Sequence, residues 1–514
     1  IMSRMKRMQG YNVLHPMGYD SFGLPAEQYA VSTGNHPNGF TQDNIETFSK
    51  QLKELGFDYD WDKMIATSDP DFYKWTQWIF KQLYLDGYAK YVDMPVNWCE
   101  ELGTVLSNDE VIDGKSERGG YPVIRKNMKQ WVINQPAFAE KLLEGLEEID
   151  WPESTKDIQR HWIGKSEGVE VDCEIVGGGK CSIYTTCIET IYGITFMVLA
   201  PDGQIVKDLM PRVENKEEVQ AYIDETLKKN DMDRTELNKT KSGCPLKGLY
   251  AINPVNGKEV PLYIGDFVLA SYGTGAVMAV PSHDQRDFEY AIVHNIPMIQ
   301  VIEGRDVSEC AFEKQDYLGK GCKLMNSEEF TGLTVEEAKE AITCKLEKQG
   351  VARRTVNYHF RDWIFARQRY WGEPVPVVHG EDGQIHVLDD AELPLILPEL
   401  EDYKGKNGKA PLENATEWKQ YDKNGIKGVR ETSTMPGSAG SSWYFLRYID
   451  PKNENEFANQ ELLKHWMPVD LYIGGPEHAV GHLMYSRIWN RYLYDKGLSP
   501  VKEPFQKLVH QGMI

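Results

Sequence analysis

Val169-Glu170-Val171-Asp172-Cys173-Glu174-Ile175 alternates apolar and polar residues without a break, Gly177-Gly178-Gly179 follows, and Ser182-Ile183-Tyr184 resumes the alternation. A period of two on both sides of a glycine turn predicts a β-hairpin. The same β character continues through Ile194–Leu199, Phe267–Ala270 and Ala276–Val280, with charged helical stretches at 216–229 and 334–349. It closes near Tyr358, so residues 167–358 read as one β-rich domain.

On either side the pattern is α/β. In 1–166, an expected strand Tyr11-Asn12-Val13-Leu14 runs into His15-Pro16-Met17-Gly18, and a helix follows Pro25 from Ala26 to Val31. Helical spacing recurs at 40–55 and 71–85. Residues 359–379 return to the first domain, 380–428 form a polar insertion, and 429–514 complete the α/β part. There Val469-Asp470-Leu471-Tyr472-Ile473 predicts a strand ending in Gly474-Gly475, with Glu477 opening a helix to about Lys496. A domain interrupted by an insertion is the simplest organisation.

The length of 514 residues suits about three domains at roughly 150 residues each. With 57 basic against 78 acidic side chains the net charge is −21, which excludes nucleic-acid binding by bulk attraction and leaves only a local basic face. No apolar run reaches the roughly 18 residues of a membrane span, so a cytoplasmic protein is expected. Eight cysteines without a C-x-x-C pair predict reduced thiols and no structural zinc.

Four constellations could carry chemistry. Gly474-Gly475-Pro476-Glu477-His478-Ala479-Val480-Gly481-His482 joins a strand to a helix start, where free N–H groups and close backbone approach favour a nucleotide or small polar ligand. Its two histidines, four apart, would share a helix face. Met17-Gly18-Tyr19-Asp20 offers one carboxylate among aromatics, suited to an ammonium group. Thr185-Thr186-Cys187-Ile188-Glu189-Thr190, with Tyr272–Asp287 downstream, clusters hydroxyls with Asp284 and Asp287, a set that could bind a polar ester and its amine. Lys345–Trp371 interleaves cations with aromatics and could stack on unpaired bases.

Together, Gly10–Glu27, Gly273–Phe288, Arg361–Pro374 and Gly474–Arg487 resemble bacterial-type leucyl-tRNA synthetase, a class I aminoacyl-tRNA synthetase, across essentially the whole chain. The resemblance implies an α/β, Rossmann-type catalytic domain split by a β-rich editing domain. It implies leucine, ATP with Mg2+ and tRNA(Leu) as substrates, a monomer and no membrane partner. It also places an H-I-G-H signature ahead of Ile1 and a K-M-S-K-S loop beyond Ile514. Neither string occurs in residues 1–514, and the expectation is that this stretch alone forms aminoacyl-adenylate poorly.

By the same resemblance, Asp20 would bind the leucine ammonium, Ser441, Tyr444, His478 and His482 would line the side-chain pocket, and Gly474, Gly475 and Glu477 would meet the adenosine. Thr185, Thr186 and Thr190 match the editing motif, with Met278 on the pocket wall, Asp287 anchoring the amine, Asp284 as a second acid and Thr190 excluding leucine. Two positions depart from the family pattern. Cys187-Ile188-Glu189 replaces Arg-Pro-Asp, and Ser438 stands where many members have an aromatic. A rival reading keeps only the insertion active, as a standalone tRNA-binding or trans-editing module. Another builds a metal-dependent hydrolase on His478 and His482, although the H-E-x-x-H order is absent.

Overall fold

The computed structural model describes residues 1–106, 110–112, 114–117, 119–227, 234, 242–270, 274–403 and 409–512. They form two compact units, one made of 1–164 with 358–514 and the other of 165–357.

In the second unit, strand Lys165–Glu174 pairs antiparallel with Lys180–Thr185, from Val169 opposite Thr185 to Glu174 opposite Lys180. Val169, Val171 and Cys173 face the core, as the alternation requires. The turn needs left-handed backbone at Gly177, Gly178 and Gly179, with φ of 83°, 107° and 100°, where a Cβ would be strained. Strand Ala352–Tyr358 completes this three-stranded sheet on the other side of Lys165–Glu174.

A second sheet has the order Gly243–Ile252, Glu259–Gly265, Phe196–Leu199, Ala276–Ala279. Two of its strands escape the sequence pattern. Gly243–Ile252 carries a register shift between Pro245 and Tyr250, so the buried side chains Cys244 and Leu246 change phase to Leu249 and Ala251. The strand expected at Phe267–Ala270 is instead a turn following Glu259–Gly265, apolar because Val268 and Leu269 are buried. Tyr272 and Gly273 lie outside the described residues, as do 228 and 229 of the expected helix; that helix spans Lys216–Thr226.

His283 ties this unit together with both ring nitrogens. Nδ1–H donates to the Phe312 carbonyl at 2.9 Å and Nε2 accepts from the Val301 N–H at 3.0 Å. Burial pushes its pKa down to about 4 from 6.5. The unfolded chain therefore binds more protons between those values, and the stability His283 provides above pH 6.5 is lost as pH falls toward 4. The urea midpoint of this unit should fall more steeply with acid in the wild type than in His283→Gln. Parallel pH slopes would refute the assignment. Reading the difference removes Asp287, whose raised pKa gives the opposite slope.

In the first unit, the expected helices span Leu24–Thr33, Pro37–Glu54 and Pro70–Leu85. Tyr11–Leu14 is not a strand. The strand is Gly18–Tyr19, parallel to Ile65–Ala66, and a second parallel pair joins Tyr472–Ile473 to Leu508–Val509. Helix Pro70–Leu85 buries Phe72, Trp75, Ile79, Phe80 and Leu83 at helical spacing. Trp443 stacks on Phe72 at 4.6 Å and donates its indole N–H to Thr76 Oγ1 at 3.0 Å, so a fully buried indole keeps its hydrogen bond.

A four-stranded antiparallel sheet, Trp363–Ile364, Ile124–Ile133, Ala89–Cys99 and Thr104–Leu106, was not foreseen. The outer halves of its two long strands are largely solvent-facing, so their sequence carries no sustained apolar alternation. The polar stretch 380–428 belongs to another sheet, ordered Ile385–Val387, Val377–Gly380, Ile426–Arg430, Gln420–Lys423. Val378, Leu388, Leu393, Leu395 and Tyr421 make its own small core.

The basic-aromatic run is not a stacking face. Phe360, Trp363, Tyr370 and Trp371 are core residues, with Trp363 stacked on Tyr485 at 4.0 Å. Arg367 donates to the carbonyls of Ile364 and Ala366. Lys345 pairs with Glu329, and Arg354 with Glu340 and Glu347. The aromatics gain more by burial than exposure would allow, and these cations are engaged within the protein.

Candidate functional site

In the first unit the site is built where two parallel strands end side by side. Gly18–Tyr19 runs into Asp20 and Ile65–Ala66 into Thr67. Thr67 Oγ1 donates to Asp20 Oδ1 at 3.2 Å and accepts the Ser21 N–H at 2.9 Å, while the Ser21 and Ser68 hydroxyls lie 2.7 Å apart. Gly18 permits the strand to pass against Tyr448, whose Oη would lie 2.4 Å from any Cβ there. Solvent reaches Asp20, yet protein crowds it closely enough that desolvation raises its pKa to about 6, against the hydrogen bonds of Thr67 and Ser441. Tyr444 shares this neighbourhood, its phenol pushed up by burial, by Tyr472 and Tyr448, and by the Asp20 charge.

Tyr444 also packs on His482, with ring centroids 5.6 Å apart, and Tyr472, His478 and Phe505 surround the same imidazole at 5.8, 6.2 and 6.2 Å. Burial, then the neighbouring His478, lowers the His482 pKa to about 4, so the ring is neutral at pH 7. A carboxylate beside a neutral aromatic recess can hold an ammonium at one end and an apolar group at the other.

The glycine turn differs from the sequence expectation. Glu477 does not open the long helix: Pro476–His478 is a single 3-10 turn and the helix is His482–Asp495. His478 and His482 therefore do not share one helix face, although their rings meet edge to face. Gly474 and Gly475 are buried, Glu477 and His478 exposed. His510 Nδ1 donates to the Gly474 carbonyl at 2.7 Å and Nε2 accepts from Thr155 at 2.6 Å, fixing the turn. A Cβ on Gly475 would lie 2.0 Å from Glu477 Oε2, so the glycine lets that carboxylate fold back over the turn. Among the described residues no group of three or more His, Cys, Asp or Glu is arranged to hold a metal ion.

In the second unit, Thr185 ends its strand and its Oγ1 accepts the Cys187 N–H at 3.0 Å. Thr190, buried in the 3-10 helix Ile188–Gly193, donates its hydroxyl to the Cys187 carbonyl at 2.8 Å. Thr186 is half-buried, and Lys339 donates to its carbonyl at 3.1 Å. The strand ending in Thr185 packs on Ala276–Ala279, which carries Met278 opposite Met197. Val280, the next residue, donates its N–H to Asp287 Oδ2 at 2.8 Å. The threonines, Met278 and Asp287 thus belong to one neighbourhood.

The two acids differ in kind. Asp284 caps helix Gln285–His294 by accepting from the Arg286 and Asp287 N–H groups, and it pairs with Arg286 at 3.1 Å. Asp287 is raised by burial and by the Asp284 charge. Such a carboxyl gains from an arriving cation.

Sequence reasoning missed Thr67, Glu373, Tyr317 and Lys339. Only strand pairing brings Thr67 to Asp20. Tyr317 donates to Glu189 Oε1 at 3.1 Å across a long sequence separation, and Lys339 reaches the Thr186 carbonyl from helix Val335–Lys348. No local pattern marks any of the four.

Comparison with known proteins shows what this chain is similar to. Residues 1–239 match the family model of class I tRNA synthetases (I, L, M and V), and 160–347 match the editing domain of leucyl-tRNA synthetase. The solved ternary complex of the Agrobacterium radiobacter K84 agnB2 LeuRS with tRNA and LeuAMS is similar over 100% of this chain, at 34% identity and a TM-score of 0.85. The chain spans 61% of the length of that relative. The α/β catalytic domain interrupted by an editing-domain insertion is the architecture these matches share. Two family matches that together reach from residue 1 to 347, and one fold covering all 514, support a leucyl-tRNA synthetase-like class I synthetase.

Proposed function

We propose that the chain is the catalytic and editing core of a leucine–tRNA ligase, using ATP to activate leucine, passing it to tRNA(Leu), and hydrolysing wrongly charged tRNA. The observation that carries this reading is the Asp20 carboxylate, steadied by Thr67 and set in the same neighbourhood as the Tyr444 and His482 recess. Asp20 holds the leucine ammonium, while Ser441, Tyr444, His478 and His482 border the isobutyl group. Gly474, Gly475 and Glu477 receive the adenosine of ATP, whose Mg2+ travels on the phosphates. Leucine's carboxylate then forms the bond to the α-phosphate as pyrophosphate leaves.

In the insertion, Asp287 holds the amine of a mischarged ester beside Thr185 and Thr186, with Thr190 and Met278 limiting size and Asp284 fixing the helix that carries Asp287. Water attacks the ester carbonyl and the tRNA hydroxyl leaves. Two sieves are needed because one methylene is worth only about 1–3 kcal/mol.

The test is leucine binding and leucine-dependent pyrophosphate exchange in the full-length protein. Asp20→Asn should weaken leucine by about 1.5–3 kcal/mol, the value of a charge-assisted contact. Unchanged leucine affinity would assign Asp20 a structural role and remove the main support.

A further inference from the structure

Glu373 is fully buried, and neither of its carboxyl oxygens makes a well-formed hydrogen bond; only the backbone N–H groups of Gly440 and of Glu373 itself act on them as donors. It follows Gly372 in the Arg361–Pro374 stretch, and its carbonyl is pinned by the Met435 N–H at 2.8 Å. A Cβ added to Gly440 would lie 2.9 Å from Glu373 Oε1 and 3.1 Å from the Thr67 Cβ. Glu373 and Thr67 therefore flank the same glycine, and Thr67 is the residue that donates to Asp20. The Asp20 charge acts directly on Glu373.

A carboxylate buried this way is disfavoured by desolvation, and the backbone N–H groups of Glu373 itself and of Gly440 offset only part of that. The groups facing the two acids are Tyr73 on helix Pro70–Leu85, with Asp69 just before it, and Ser441 and Tyr444 from the segments Ser438–Ser441 and Tyr444–Arg447. Among the described residues, none of the charged groups acting on Asp20 or Glu373 is a cation. Two acids arranged one behind the other, with no basic residue between them, are complete only when a cation arrives from outside.

We propose that Glu373 is the deeper carboxyl of the Asp20 site, a positioning residue whose negative charge forms when the substrate ammonium docks on Asp20 and persists only while that cation is bound. This rests on the reading of Asp20 as the amine site. Burial and the Asp20 charge hold Glu373 far above the ordinary carboxyl range, so it is protonated before the ammonium arrives. Coupling is reciprocal: if the ammonium favours ionised Glu373, deprotonating Glu373 must strengthen leucine binding. An exposed acid at the same distance would be solvated and nearly indifferent.

The test is leucine binding by titration calorimetry across pH, in buffers of different ionisation heat. In the wild type, affinity should keep rising with pH beyond the value of about 6 at which Asp20 ionises. In Glu373→Gln it should level off there and be about tenfold weaker at pH 8, the deficit expected when Glu373 ionises in the complex about one pH unit below that while staying protonated in the free protein, with fewer protons released. Glu373→Met should lose the same affinity while raising the melting temperature, because an apolar side chain replaces a buried acid. If Glu373→Gln keeps the wild-type pH profile and proton count while Asp20→Asn weakens leucine, the role of Glu373 is wrong and the amine site stands. If Asp20→Asn leaves leucine binding unchanged, the amine-site reading falls and takes this proposal with it.

Discussion

Glu503→Ala should destabilise the first unit by about 3–5 kcal/mol, a large share of the roughly 5–15 kcal/mol that holds a domain folded. Arg487 has no solvent exposure, and Glu503 accepts from its Nε and Nη2 at 2.6 and 2.8 Å. The same guanidinium donates to Gln159 Oε1 at 2.7 Å and the Leu142 carbonyl at 2.6 Å, so it joins helix His482–Asp495 to Ala139–Gly145 and Glu153–Ile163. Removing the carboxylate leaves a buried cation without its counter-charge, which costs more than the pair contributes. Gly145→Ala should do related damage, since a Cβ there would lie 1.8 Å from Glu503 Oε1. Urea unfolding followed by tryptophan fluorescence measures both. A Glu503→Ala loss below about 1 kcal/mol would mean that water or a neighbour replaces the carboxylate.

The second large effect is expected in the editing unit. Asp287→Asn keeps an acceptor for the Val280 N–H and removes the charge, so hydrolysis of mischarged tRNA should fall by about 1.5–3 kcal/mol, roughly ten- to a hundredfold. Because the ionised form is disfavoured by burial, the variant should unfold no earlier than the wild type. Thr190 needs a finer set, since its hydroxyl is already committed to the Cys187 carbonyl. Thr190→Ser keeps that bond and removes a methyl; Thr190→Val keeps the bulk and removes the bond. If size is the gate, the Ser and Ala variants hydrolyse leucyl-tRNA and the Val variant spares it. Deacylation of leucyl- and mischarged tRNA by the full-length variants decides this. Indifference of leucyl-tRNA to all three Thr190 changes, with Asp287→Asn still active, would mean the insertion is not a working sieve.

Residues 169–184 announce a hairpin because alternation and three glycines are local facts, and the split α/β organisation follows from where that period begins and ends. The strings around Asp20, Arg361 and Gly474 carry the family resemblance for the same reason: they are contiguous. What tertiary structure decided is every relation between distant segments. The irregular strand Gly243–Ile252 loses its phase at the register shift between Pro245 and Tyr250, and the Lys345–Trp371 run is amphipathic in composition yet becomes core and ion pairs once its neighbours fold against it. Gly481 separates a 3-10 turn from the helix, a break that residue types alone leave unmarked. Thr67 meets Asp20 through strand pairing, and Glu373 stands buried behind them through packing at Gly440. Composition and period specify which elements form, because they act over a few residues. Which charges face one another depends on contacts across hundreds of residues, and only the folded chain fixes those.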